Sequence, residues 1–165
     1  EPLESVIQKL KAILGEPDML AEAPLFSIDS ASPTITANSD MRVFVIEDDK
    51  LLRNLMTIRL QKSGFTFDVH TGIGDPLSAM HAFKPDVLVL DLMLPEIDGF
   101  SLLETIRNHE DEHVRTLPVI VFSNRDSQAD RKRAIDLGVS GYYIKAMTDL
   151  AELMSTIHDI VEKNN

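Results

Sequence analysis

The chain has 165 residues, 44% of them apolar, with 27 acidic against 16 basic side chains and a formal net charge of −11. That length suits one domain plus an appendage with a sizeable core, and the negative balance opposes nonspecific attraction to nucleic acid or an anionic membrane. No apolar run approaches the roughly 18 residues of a membrane span, no signal-peptide pattern opens the chain and cysteine is absent, so disulfides and thiolate metal sites are excluded and a cytoplasmic location is expected.

Leu3, Val6, Ile7, Leu10, Ile13 and Leu14 recur at helical spacing, Pro2 suits a first helical position, and Gly15 and Pro17 are stop signals. They predict an amphipathic helix over 1–18. It reads as a helix docked on the main body or the last helix of an upstream domain, with a self-associating coil, and hence a homodimer, as the alternative. Because the chain opens on Glu1 rather than methionine, it reads as a processed product or a piece of a longer protein. Residues 19–40 turn to Ala, Pro, Ser, Thr, Asn and Asp with little periodicity, which predicts a linker.

From Met41 strand and helix signals alternate to the end. Val43–Ile46 is a first apolar strand, and Leu51, Leu52, Leu55, Met56 and Leu60 stripe a helix ended by Gly64. Phe65–Val69 predicts a second strand, and Asp75–Phe83 a short helix with Pro76 in its first turn. Pro85 precedes the strand Val87–Leu90, and Gly99–Arg107 is the next helix. Pro118 opens the strand Val119–Phe122, which leads to a polar helix over about Asp126–Leu137 closed by Gly138. Tyr142–Ile144 is the fifth strand, and Leu150, Leu153, Met154, Ile157, Ile160 and Val161 stripe the final helix. Short apolar strands separated by helices require crossover connections, so residues 41–165 predict an α/β domain: a doubly wound, five-stranded parallel sheet with helices on both faces.

Four of these strands end in residues suited to phosphoryl chemistry. The first runs into Glu47, Asp48 and Asp49, the third into Asp91, the fourth into Ser123 and the fifth into Lys145. In an open parallel sheet the ligand crevice lies outside the carboxyl ends of the strands, so these residues are expected to converge. Bare carboxylates there would repel, and a divalent ion resolves the conflict. Oxygen-only donors favour Mg2+, with Asp48 and Asp91 as direct ligands, Glu47 acting through water and the backbone carbonyl of Met93 completing the set. Lys145 is placed to pair with Asp91 and then with a phosphoryl oxygen, and Ser123 to donate a hydroxyl hydrogen bond to the same group. No histidine stands at a strand end beside Ser123 to act as its base, and no GxxxxGK[ST] loop is present. The nucleophile is therefore expected to be Asp91, as an aspartyl-phosphate former.

The stretches VFVIEDDKLLR, VLVLDLMLPEIDGF, LPVIVFSNRD and GVSGYYIKA resemble, in order and spacing, the response-regulator receiver family, across roughly Met41–Asn165. The resemblance implies a flavodoxin-like receiver fold, with Glu47 and Asp48 as the acidic pair and Asp91 accepting phosphate from a histidine kinase or phosphotransfer protein. It further implies Ser123 as the switch hydroxyl, Tyr142 as the switch aromatic and Lys145 as the matching lysine. A phosphoacceptor is expected, not an enzyme in the ordinary sense. Its output partner is expected at the face formed by the fourth helix, fifth strand and fifth helix, about Asp126–Asn165. Asp49 matches a variable position and is not counted as a ligand.

Three residues depart from the pattern. Ala146 follows Lys145 where the family usually has proline with a cis peptide, so the loop either carries strain or takes another path. Asn124 stands where a small residue is usual, and Met93 is bulky near the pocket mouth; both are expected to alter access to the site. Other readings compete. Glu47 and Asp48 could merely cap the following helix. A receiver-fold adaptor or dimeriser that works without phosphate keeps the same scaffold. His109 to His113 spell the HExxH zinc signature, but in a charged connection lacking a third ligand. Arg131, Lys132 and Arg133 read as a solvated face or a docking patch.

Overall fold

A computed structural model describes residues 40–164 together with Ser5, Val6 and Lys9, which are helical. The rest of the predicted helix over 1–18 and nearly all of the linker over 19–40 lie outside the described residues. The chain divides into two units, Glu1–Ile35 and Thr36–Asn165, and the sheet with its helices belongs to the second.

Five parallel strands, β1 (Arg42–Ile46), β2 (Thr66–His70), β3 (Val87–Leu90), β4 (Val119–Ser123) and β5 (Gly141–Ile144), lie in the order β2-β1-β3-β4-β5. Between and after them run α1 (Lys50–Lys62), α2 (Pro76–Phe83), α3 (Gly99–Arg107), α4 (Gln128–Asp136) and α5 (Leu150–Asn164). The strand order reverses between β1 and β3, which opens the crevice at their carboxyl ends.

Alternation along the strands divides the core into two layers. On one face Phe44, Leu88, Leu90, Val119 and Val121 pack with Met80 of α2, Phe100, Leu103 and Ile106 of α3 and Ala134 of α4. On the other, Val43, Val45, Val87, Val89, Ile120 and Phe122 pack with Met56 and Leu60 of α1 and with Leu153, Ile157 and Val161 of α5. Strands covered on both sides have no solvated face, which is why β1, β3 and β4 read as unbroken apolar runs.

The boundaries differ from the sequence expectation where capping decides them. The helix expected from Asp126 begins at Gln128, because the Ser127 side chain accepts from the Asp130 N–H at 3.0 Å and takes the N-cap position. The charged connection before β4 contains a one-turn helix, Glu112–Arg115, capped by Asp111. Four residues are too few to show a period. That turn splits the HExxH stretch: His109 lies outside it with Nδ1 accepting from the Asp111 N–H at 3.1 Å, while His113 Nε2 lies 2.9 Å from the Pro85 carbonyl. The two histidines therefore have separate partners.

Candidate functional site

The register carries the site residues to neighbouring places. Ile46 pairs with Leu90, so Glu47 and Asp91 are the next residues of adjoining strands, and the Asp91 N–H donates to the Ile46 carbonyl at 3.1 Å. Ser123 pairs with Ile144, which puts Lys145 one step beyond the last rung of β4 and β5. Glu47, Asp91, Ser123 and Lys145 thus stand at or just beyond the carboxyl ends of their strands.

The acidic run after β1 divides its labour. Asp49 caps α1, its Oδ1 accepting from the Leu52 N–H at 2.7 Å. Glu47 is 1% exposed, and its Oε1 accepts from the Asp49 N–H at 3.0 Å. Asp48 is exposed, and no hydrogen bond joins its carboxylate to other described residues. The expectation that Glu47 and Asp48 might serve as caps is not met, because Asp49 performs that role.

Asp91 is 3% exposed and held at both oxygens: Oδ1 accepts from the Met93 N–H at 3.0 Å, and Oδ2 lies 2.7 Å from Lys145 Nζ. The same ammonium lies 2.6 Å from Glu47 Oε2, so one cation bridges two buried carboxylates. Burial pushes the Glu47 carboxyl above its ordinary pKa, against the opposing hydrogen bonds from Lys145 and the Asp49 N–H. Burial alone would lower Lys145, but the hydrogen bonds to Asp91 and Glu47 outweigh it and leave the ammonium more firmly protonated than usual. Two desolvated acids sharing one cation account for both directions.

One carboxylate oxygen from each of Glu47, Asp48 and Asp91 lies within 4.8 Å of the other two. Three hard oxygen donors, one of them exposed and without a hydrogen-bond partner among the described residues, suit Mg2+, which takes few protein carboxylates and keeps several waters. A crevice of about 470 Å³ lies alongside, lined among others by Asp48, Met93, Asp98 and Arg125. Met93, 58% exposed, stands at its mouth.

Ser123 is buried with its Oγ accepting from the Arg125 N–H at 3.3 Å, an arrangement that leaves the hydroxyl proton available. Tyr142 is half-buried and donates through its hydroxyl to the Arg125 carbonyl at 2.6 Å. The peptide units of Arg125 therefore contact both the hydroxyl and the aromatic residue. Its guanidinium forks onto Asp130 at 3.0 and 3.1 Å. The basic trio of α4 is paired with acids: Arg131 with Asp126, Lys132 with Asp136 and Arg133 with Glu104.

Two supports escaped the sequence reading. A Cβ on Gly99 would stand 2.4 Å from the Leu92 Cα and 2.8 Å from the Asp91 carbonyl oxygen, so α3 begins directly against the backbone that carries Asp91. The second is the loop after Lys145. No peptide bond among the described residues is cis, and the chain enters a 3-10 turn, Lys145–Met147, with the Ala146 N–H donating to Asn124 Oδ1 at 3.1 Å. The loop takes another path from the one that proline would impose.

Residues 43–158 match the response regulator receiver domain family. The chain is 33% identical over 124 residues to the transcriptional regulatory protein QseB of Haemophilus influenzae, covering 74% of this chain and 53% of that one. It is 30% identical over 124 residues to the response regulator MprA of Mycobacterium avium, covering 74% and 52%. The chain thus spans about half the length of these relatives. Among solved structures it resembles the signal receiver domain of a DNA-binding response regulator from Colwellia psychrerythraea, with a TM-score of 0.67 at 27% identity, covering 74% of this chain and 99% of that one. The chemotaxis protein CheY4 of Vibrio cholerae shares the fold, with a TM-score of 0.66 at 17% identity and coverage of 74% and 99%. No helix among the described residues is long and apolar enough to cross a membrane.

Proposed function

This chain belongs to the response-regulator receiver family of two-component signalling, and on that premise we propose that Asp91 is its phosphoacceptor in a Mg2+-dependent reaction that switches a partner-binding face. The observation that carries the proposal is the cluster itself: three carboxylates within 4.8 Å of one another, with the Lys145 ammonium bridging two of them. Asp48 and Asp91 would hold the ion directly, Glu47 through water, with the Met93 carbonyl completing the set; the ion would supply charge neutralisation for an incoming phosphoryl group.

An Asp91 carboxylate oxygen forms a bond to phosphorus while the bond to the donor's imidazole nitrogen breaks, and the electron pair returns to that ring. The donor is a histidine kinase or a phosphotransfer protein. Lys145 shifts part of its hydrogen bonding from the Asp91 carboxylate to a phosphoryl oxygen, and the Ser123 hydroxyl donates to another. Drawing Ser123 toward phosphate loosens its bond from the Arg125 N–H, and the same residue's carbonyl anchors Tyr142. The phosphoryl group, at roughly −1.5 to −2 in place of the carboxylate's single negative charge, thereby biases the face of α4, β5 and α5, where Ile135 is 67% exposed among paired charges. A bias of a few kcal/mol suffices, since about 5.5 kcal/mol takes a two-state population from 1:99 to 99:1. The output partner docks there, in the cytoplasm, and the domain acts as a phosphoacceptor with at most self-catalysed transfer and dephosphorylation.

Intact mass after incubation with a small acyl phosphate is the test. Wild type gains one phosphoryl group with Mg2+ and none in EDTA, and Asp91→Asn gains none; an equal gain on Asp91→Asn overturns the proposal.

A further inference from the structure

Lys145 has to hold its ammonium against two buried carboxylates, at 2.6 and 2.7 Å, from a segment that little else secures. Backbone pairing between β4 and β5 ends at Ser123 with Ile144. The turn that follows, Lys145–Met147, contains no buried residue, and Met147 is 79% exposed, so apolar packing does not fix it. Asn124 meets this need from the neighbouring strand end. Its Oδ1 accepts from the Ala146 N–H at 3.1 Å across 22 residues of sequence. Asparagine in loops ordinarily bonds its own backbone within about two residues. This one reaches across instead, continuing the β4–β5 edge one step past its last backbone pair.

We infer that Asn124 is a positioning residue for Lys145, its side chain tying the turn that carries the ammonium to the strand end that carries Ser123. Asn124 and Ala146 act as a matched pair. A proline at 146 would have no N–H to offer, and an alanine at 124 would have no acceptor. The bond reaches the site through Lys145, whose ammonium touches Asp91 and Glu47, so it bears on phosphoryl transfer through the placement of that one cation. That consequence rests on the reading of Asp91 as phosphoacceptor, whereas the tie itself does not.

The test compares the whole chain with Asn124→Ala, which removes the acceptor, and Asn124→Asp, which keeps an oxygen there, at an ionic strength high enough to screen the added charge. Both positions are exposed, so the variants fold. The readouts are amide hydrogen exchange at Ala146, the initial rate of phosphorylation by a small acyl phosphate at saturating Mg2+, and the Kd for Mg2+. In Asn124→Ala, exchange at Ala146 rises about tenfold and phosphorylation slows about three- to tenfold, with each protein held at saturation by its own measured Mg2+ Kd. Asn124→Asp recovers at least about half the wild-type rate, which a merely structural role would not require. A rate for Asn124→Ala within about twofold of wild type, or Asn124→Asp as slow as Asn124→Ala, overturns the inference. If wild type takes no phosphate, the acceptor reading fails and exchange alone decides the tie: faster exchange at Ala146 in Asn124→Ala sustains it, and unchanged exchange overturns it.

Discussion

Lys145 Nζ lies 2.7 Å from Asp91 Oδ2 while also touching Glu47, so a single cation stabilises two carboxylates taken out of water. Removing it leaves two unpaired charges in a buried place, which is far more costly than losing a surface ion pair. Lys145→Ala is expected to destabilise the domain by about 3 kcal/mol in EDTA. Mg2+ binding to the folded state should recover part of that loss through linkage. Denaturant unfolding in EDTA and in Mg2+ checks this; identical midpoints for wild type and variant in EDTA would contradict it.

The neighbouring acids Asp48 and Asp49 are predicted to separate cleanly. Asp49→Ala removes the Leu52 N–H acceptor at the start of α1 and should cost about 1 kcal/mol, with Mg2+ affinity little changed. Asp48→Asn, at an exposed carboxylate with no hydrogen-bond partner among the described residues, should leave stability nearly unchanged and weaken Mg2+ binding at least about tenfold. Thermal denaturation together with Mg2+ titration distinguishes the two. Equal effects of both substitutions on Mg2+ would show that the roles are shared.

Gly99 is the residue that lets α3 begin against the Asp91–Leu92 backbone. An added methyl would meet backbone rather than a movable side chain, 2.4 Å from the Leu92 Cα. Gly99→Ala should therefore destabilise by about 1–3 kcal/mol and displace the end of β3, slowing phosphorylation of Asp91 as well. Gly74→Ala is the contrast. Nothing lies within 4 Å of its added Cβ, but its φ of +82° strains any L side chain, so it should cost about 1 kcal/mol without affecting the site. Unfolding free energies and phosphorylation rates measured on both variants check the pair.

How far the sequence was legible follows from where the physics is local. Val87–Leu90 and Gly99–Arg107 matched their expected bounds because unbroken apolar runs and 3.6-residue periods are written into consecutive residues. The convergence of Glu47, Asp91 and Lys145 was legible as well, since parallel topology brings carboxyl ends together. The one-turn helix Glu112–Arg115 was not, being shorter than a detectable period. Nor were the Gly99 contact and the Asn124 tie, which depend on through-space neighbours that no spacing rule encodes. Which member of Glu47, Asp48 and Asp49 caps α1 likewise needed backbone geometry.

Asp75 offers a pH test outside the site. Its carboxylate accepts from the Ser78 hydroxyl at 2.6 Å and the Ser78 N–H at 3.0 Å, and these bonds hold it below the ordinary carboxylate range. A depressed folded pKa means that Asp75, the N-cap of α2, contributes stability above the unfolded value of about 3.9, and that contribution is lost as pH falls through the lower folded value. Following the Asp75 carboxyl by NMR should show a low titration midpoint that rises in Ser78→Ala. A midpoint unchanged by Ser78→Ala would contradict this.

Borohydride trapping tests whether phosphate arrives on Asp91, because reduction of an acyl phosphate converts that aspartate to homoserine. After treatment with a small acyl phosphate and Mg2+, peptide sequencing by mass spectrometry should find homoserine at position 91, and none there when EDTA replaces Mg2+. Homoserine at another carboxylate with Asp91 intact, or no reduced residue in a protein shown to bind Mg2+, would rule out Asp91 as the phosphoacceptor.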